Sequence, residues 1–174
     1  MLDAALMGEI LREVSDSFDQ VVRRREAQVL RTAYRILLNW ADAEDVAQEV
    51  FLRLHRHGLD FPSDAAFGGW VYRVTVNLCL DRTRSSRRIE QLPELPSPEI
   101  SAEAAAIREQ QKRNLMAALA TLPPKERAAV ALREIEGLST EEVAAILGST
   151  EGTVRSQVAK ALARLRTILN REER

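Results

Sequence analysis

Arg155 and Lys160 belong to a stretch, EGTVRSQVAKALARLR, whose residue types suit recognition of a DNA duplex better than catalysis. At about 100° per residue, Gly152, Thr153, Ser156, Ala159 and Lys160 share one side of a helix, with Arg155 on its flank. Small side chains there let the helix approach base edges in the major groove, while Arg and Lys reach phosphates or guanine edges. Val154, Val158, Ala161, Leu162, Leu165 and Leu169 form the opposite stripe, which must be packed. By itself this pattern fits a solvated helical hairpin equally well.

The elements that would position this face are clearly punctuated. Ser139 and Glu142 have capping-box spacing, so a helix should begin at Thr140. Val143, Ala144, Ile146 and Leu147 are its apolar face, Gly148 ends it, and Thr150 caps a second helix from Glu151. Two helices and a tight turn of this form fit a DNA groove.

A second informative face lies in DAEDVAQEVFLRLHRH. With Asp42 as N-cap, Val46, Ala47, Val50, Phe51 and Leu54 make a core stripe, and Asp45, Gln48, Glu49, Leu52 and Arg56 lie opposite it. A large aliphatic residue ringed by polar ones is the arrangement of a protein interface. His55 and His57, two residues apart, do not converge on a metal; near the helix end they suit its dipole.

After a loop containing Pro62 and Gly68–Gly69, a helix starting near Phe67 or Trp70 should run to Arg84. Phe67, Trp70, Val71, Val74 and Leu78 are expected to be buried, with Tyr72, Val76 and Cys79 turned away and Asn77 at the margin. Aromatic residues beside Arg73, Arg82, Arg84, Arg87 and Arg88 could hold unstacked bases on a cationic track.

Charge supports two separate contacts. The 174 residues carry 25 basic and 26 acidic side chains, a net charge of −1 that looks wrong for a nucleic-acid binder until it is mapped. Five Arg fall between residues 73 and 88 and six basic residues between 155 and 174, separated by five Glu between 90 and 109. Few Gly and Pro and no β-branched alternation indicate an all-helical protein. The single Cys79 fits a reducing compartment, and no apolar run reaches about 18 residues, so a cytoplasmic protein without membrane insertion is expected. No Gly-rich phosphate loop, HExxH or Cys/His cluster is present, which argues against an enzyme; neither cofactor nor metal is expected.

Residues 2–17 can form an amphipathic helix and 18–39 a second. RIEQLPELPSPEIS, with three prolines, reads as an acidic linker over 89–101. It divides the chain into two small helical domains, 1–88 and 102–174. In the second, 102–120 is helical, Leu122-Pro123-Pro124 breaks it, Pro124 suits the start of a helix through Glu136, and Gly137 stops that one.

In this order, DAEDVAQEVFLRL, AFGGWVYRVTVNLCLDRTRSSRR, the acidic linker and LPPKERAAVALREIEGLSTEEVAAILGSTEGTVRSQVAKALARLR, the chain resembles a bacterial RNA polymerase sigma factor of the extracytoplasmic-function group across about residues 18–169. The resemblance implies a promoter-specificity subunit that directs recognition and melting of DNA. It implies that Asp45, Gln48, Glu49 and Leu52 grip core polymerase. Asp64, Phe67, Arg73, Asn77, Arg82, Arg84, Arg87 and Arg88 would engage the −10 element. Thr153, Arg155, Ser156, Ala159 and Lys160 would read the −35 element. Gln157 and Ala159 depart from the group's usual Arg and aromatic or His. Core RNA polymerase, promoter DNA and an anti-sigma protein are the implied partners. A free-standing dimeric helix-turn-helix regulator is the alternative, but it has no use for the linker or the Arg-rich aromatic helix.

Overall fold

The computed structural model describes residues 4–83 and 102–172, with side chains from Phe18 to Thr83 and from Ile107 to Asn170. The linker expected over 89–101 and the residues Arg84, Arg87 and Arg88 lie outside the described residues. The described residues are all-α, with seven helices: α1 (Ala4–Leu37), α2 (Trp40–His57), α3 (Asp64–Thr83), α4 (Ala102–Ala120), α5 (Pro124–Val130), α6 (Thr140–Leu147) and α7 (Glu151–Glu172).

The two helices expected over 2–17 and 18–39 are one. No Gly or Pro interrupts the chain around Ser15–Phe18, so α1 runs unbroken for 34 residues. It ends abruptly because Leu38 takes a left-handed conformation, φ 58°. That conformation costs a leucine about 1–2 kcal/mol, roughly offset by burying its side chain, which is only 2% exposed. The N-cap of α2 is Asn39, not Asp42: the Asn39 carboxamide oxygen accepts from the Asp42 backbone N–H at 2.8 Å, and Asp42 sits one turn inside. Helix α3 starts earlier than expected, at Asp64, where the Ser63 hydroxyl accepts from the Ala66 N–H at 3.1 Å. Gly68 and Gly69 are therefore helical.

The facing of α3 also differs from the expectation. Tyr72, Val76 and Cys79, read as turned away, are buried, whereas Phe67, Trp70, Val74 and Leu78 are only partly covered. The helix is apolar nearly all round because it is packed on two sides, against α1 and α2 and against α6. A single periodicity stripe cannot describe such a helix.

In the second half, α5 begins at Pro124 as expected but passes into a wider π-helical turn, Ala131–Ile135, closed by the Glu136 N–H donating to the Ala131 carbonyl at 2.9 Å. Gly137, φ 75°, then reverses the chain. The Ser139–Glu142 capping box and left-handed Gly148 bound α6, and the Thr150 hydroxyl accepts from the Thr153 N–H at 3.2 Å at the start of α7. Those expectations hold. Along α7, Val154, Val158, Ala161 and Leu165 are buried, but Leu162, placed on the same stripe, is 39% exposed.

The two halves share apolar packing. One continuous cluster runs from Val29, Val46 and Val76 to Ala128, Val143 and Val154. A second gathers Leu38 with Ala118, Leu119, Leu122, Val130, Ala161 and Leu165.

Candidate functional site

Three exposed surfaces of different chemistry stand on this scaffold. The first is a groove of about 750 Å³ between α1 and α2. Its apolar part comes from Phe18, Val22, Leu30, Phe51 and Leu52, and its lining includes Asp19, Glu26, Glu44 and Asp45 but no Lys or Arg. Leu52 is 52% exposed, the large aliphatic anchor expected from the sequence. Asp45 and Gln48 line the groove with it, while Glu49 lies outside, its carboxylate accepting from Arg53 Nε at 2.8 Å. Phe18 meets His55 edge-on, with ring centroids 5.3 Å apart. Phe18 and Val22 escaped the sequence reading because they sit on α1, 22 or more residues from Glu44, and only tertiary packing brings them opposite α2. Four carboxylates around an apolar floor suit a partner surface that is aliphatic and basic.

The second surface is a recess of about 390 Å³ lined by Val21, Arg24, Arg25, Leu59, Phe61, Ser63, Asp64 and Phe67. Asp64 and Phe67 were expected here; Arg24, Arg25 and Phe61 were not. The Arg25 guanidinium lies 5.3 Å from the Phe67 ring centroid. Phe61 stands 5.1 Å from Phe67, 5.7 Å from Trp70 and, nearly parallel, 4.8 Å from His57. Aromatic faces beside guanidinium groups are what a base and its phosphate need. Arg73 and Asn77 are exposed further along α3 and do not line the recess. Arg82, expected to bind DNA, is instead engaged by both Asp42, at 2.6 Å, and Asp45. Partial burial would lower the Arg82 pKa, but hydrogen bonds and charge from the two aspartates outweigh it and raise the value. The Cys79 thiol, buried on the same helix, is pushed up by desolvation and is no nucleophile.

The third surface is the outer face of α7. Thr153, Arg155, Ser156, Ala159 and Lys160 are all exposed, backed by the buried Val154–Val158–Ala161–Leu165 stripe. Arg155 pairs with Glu151 one turn earlier, but both side chains are largely solvated, so the pair restrains the guanidinium little. Gln157 is partly buried, its Oε1 enclosed without a hydrogen-bond partner, so it faces inward rather than onto the exposed outer face of α7. Arg164 donates to Glu126 at 2.7 Å and fixes α7 on α5. Backbone and side-chain hydrogen bonds from Ser139 hold the Glu142 carboxyl below the usual carboxylate range, which keeps the capping box charged at neutral pH.

Among the described residues, no group of three or more His, Cys, Asp or Glu is placed to hold a metal, and no helix is long and apolar enough to cross a membrane.

Two family models match the chain in order: sigma-70 region 2 over residues 21–89 and sigma-70 region 4 over residues 112–165. Over 159 residues the chain is 42% identical to the ECF RNA polymerase sigma factor SigE of Mycolicibacterium smegmatis, a match that covers 88% of this chain and 62% of that protein. To SigM of Mycobacterium tuberculosis it is 36% identical, with 96% and 84% covered. The solved structure of CnrH in complex with the cytosolic domain of CnrY is similar with TM-score 0.67 at 26% identity, covering 90% of this chain and 89% of that one. The sigma factor RpoE from Bartonella quintana, solved with the anti-sigma factor NepR, shares the fold at TM-score 0.67 and 21% identity, covering 88% and 97%.

Proposed function

Because the chain belongs to the extracytoplasmic-function RNA polymerase sigma factors, we propose that it associates with core RNA polymerase, directs it to promoters and opens the DNA there, with no catalysis of its own. The observation that carries this reading is the order of chemistries along one chain: an acid-rimmed apolar groove and an aromatic, cationic recess in the region 2 part, then a small, cationic helix face in the region 4 part.

In this reading 1–88 and 102–174 are the two functional domains, joined by 89–101. Leu52, Asp45 and Gln48 seat a polymerase helix in the α1–α2 groove, and Glu49 contributes from its rim. The recess takes an extruded base of the −10 element: Phe67 and Phe61 supply stacking, Arg24 and Arg25 the charge for its phosphate, and Asp64 a hydrogen-bond acceptor. Extrusion costs a few kcal/mol, within reach of stacking at about 1–3 kcal/mol per base together with backbone charge from Arg73 and from Arg84, Arg87 and Arg88. Asn77 lies along the same strand path. Arg82 serves mainly to tie α3 to α2. On α7, Thr153, Ser156 and Ala159 allow close approach to the −35 element, and Arg155 and Lys160 contact it. The chain works in the cytoplasm, where polymerase and promoters are, and an anti-sigma protein regulates it by covering the groove.

Run-off transcription with bacterial core polymerase on templates with randomised upstream sequence tests the reading. Transcripts that require the chain, enriched for two spaced elements, are the expected result. Binding of a palindromic duplex by a dimer, with no effect on transcription, would replace it with the regulator reading.

A further inference from the structure

The chain between α2 and α3 is a short loop, Gly58–Ser63, and Phe61 is the ring that it carries into the wall of the second recess. Gly58 leaves α2 with φ 83°, the Phe61 N–H donates to the Leu59 carbonyl at 3.0 Å, and the Ser63 hydroxyl caps α3. A phenylalanine on a surface loop keeps its rotamer freedom unless neighbouring side chains remove it. Three rings do so here. His57, the last residue of α2, lies nearly parallel to Phe61, with 15° between the planes and 4.8 Å between centroids. Phe67 and Trp70 stand 5.1 and 5.7 Å away, tilted by 52° and 59°. His57 is itself held, because its Nδ1–H donates to the Gly58 carbonyl at 3.2 Å and its ring meets Trp70 at 5.3 Å. Neither His57 nor Trp70 lines the recess, so their contact with its wall is made through Phe61. Trp70 also packs on the main apolar cluster, whereas His57 is exposed and belongs to neither cluster. The apolar core therefore does not call for a ring at position 57, and its stacking on Phe61 is the contact left to explain.

We propose that His57 is a positioning residue for base recognition: stacked on Phe61, it holds that ring in place as one wall of the recess, so that an extruded base meets a surface already formed. The inference deepens the reading of the recess as a −10 base site and rests on it. Stacking repays the extrusion of a base in full only if the protein ring is not immobilised at the same moment, since each side chain ordered on binding takes back part of the affinity. A Phe61 ring fixed in advance by His57 avoids that loss. What His57 presents to Phe61 is a parallel ring face, not a charge or a hydrogen bond. Phenylalanine at position 57 therefore serves equally well, and alanine does not. Because His57 lies outside the apolar core, positioning can be separated from folding at this residue, which Trp70 does not allow.

Holoenzyme assembled from bacterial core polymerase and the full chain tests the proposal by fluorescence anisotropy. The probe is fork-junction DNA from a promoter recovered by run-off selection, with the non-template strand unpaired across the −10 element. A second set of probes carries a single abasic site at each unpaired position in turn. For the parent, one abasic position should stand out by a loss of about tenfold. His57→Ala should bind the intact probe about three- to tenfold more weakly than the parent, and the probe abasic at that position as well as the parent does. His57→Phe should match the parent on both. An equal loss on intact and abasic probes, or a His57→Phe chain as weak as His57→Ala, overturns the proposal. A measurement without DNA separates it from the recess reading: in chain carrying isotope-labelled phenylalanine, the Phe61 ring signals in nuclear magnetic resonance should move in His57→Ala and return in His57→Phe. Unmoved Phe61 signals in His57→Ala also overturn it. Moved signals in a chain whose parent loses nothing at any abasic site would leave the positioning of Phe61 standing and remove the base-site reading. Should His57→Ala lose helix content in circular dichroism, His57→Leu, which keeps the bulk without a flat ring, takes its place with the same expected losses.

Discussion

The α2 groove and the outer face of α7 are both exposed faces of helices whose opposite sides are buried, yet they are opposites in shape and charge. The groove is concave, with an apolar floor and four carboxylates around it. The α7 face is convex, built from Thr153, Ser156 and Ala159 with Arg155 and Lys160, and Arg155 pairs there with Glu151. A helix partner gains from leaving water in the first setting, whereas a polyanion gains from counterion release in the second. Two binding functions on one chain are thus distinguishable by what drives each of them.

The largest test of that contrast is Leu52→Ala. Burying a leucine side chain is worth about 1.5–3 kcal/mol, and Leu52 has about half of that still to gain, so affinity for core polymerase should fall about three- to tenfold. The loss should be nearly independent of salt when measured by fluorescence anisotropy; a strong salt dependence would show that the acid rim, not the anchor, dominates. Next in size, Ser139→Ala removes a cap with both reciprocal hydrogen bonds in place and should destabilise the α6–α7 unit by about 1 kcal/mol in thermal unfolding. Weaker −35 binding with unaltered polymerase affinity would sharpen the separation of the two surfaces. The smallest effect is that of Lys160→Ala: about threefold weaker binding to −35 duplex, with the slope of log affinity against log salt reduced by about one. An unchanged slope would mean that Lys160 touches no phosphate.

How much could be read in advance differed between these surfaces for a physical reason. The α7 face belongs to a local motif. A capping box, one left-handed glycine and a periodic stripe act within about 30 residues, so Ser139, Gly148 and the exposure of Thr153, Arg155, Ser156, Ala159 and Lys160 were all legible. Leu162 was misplaced because it sits at the edge of the stripe, where only the position of α5 and α4 decides its burial. The groove and the recess were half legible. Leu52 and Phe67 stood out on their own helices, but Phe18, Val22, Arg24 and Arg25 approach them from α1, and no periodicity within α2 or α3 encodes that approach. Arg82 looked like a free cation because Asp42 and Asp45 precede it by about 40 residues.

The sequence by itself determined the helical class, the caps and stops, the order of the two regions and the exposed anchors, since these depend on propensities and contacts within a few turns. Tertiary structure alone decided which side of α3 is buried, that α1 carries the far walls of both recesses, and that Arg127, donating to the Ile36 carbonyl, and Glu136, accepting from Thr32 and Tyr72, join the two parts. Those features arise from pairings of residues distant in sequence, as between Phe18 and His55, Arg25 and Phe67, or Tyr72 and Glu136. Their free energy depends on which helix faces meet, and a local pattern does not specify that.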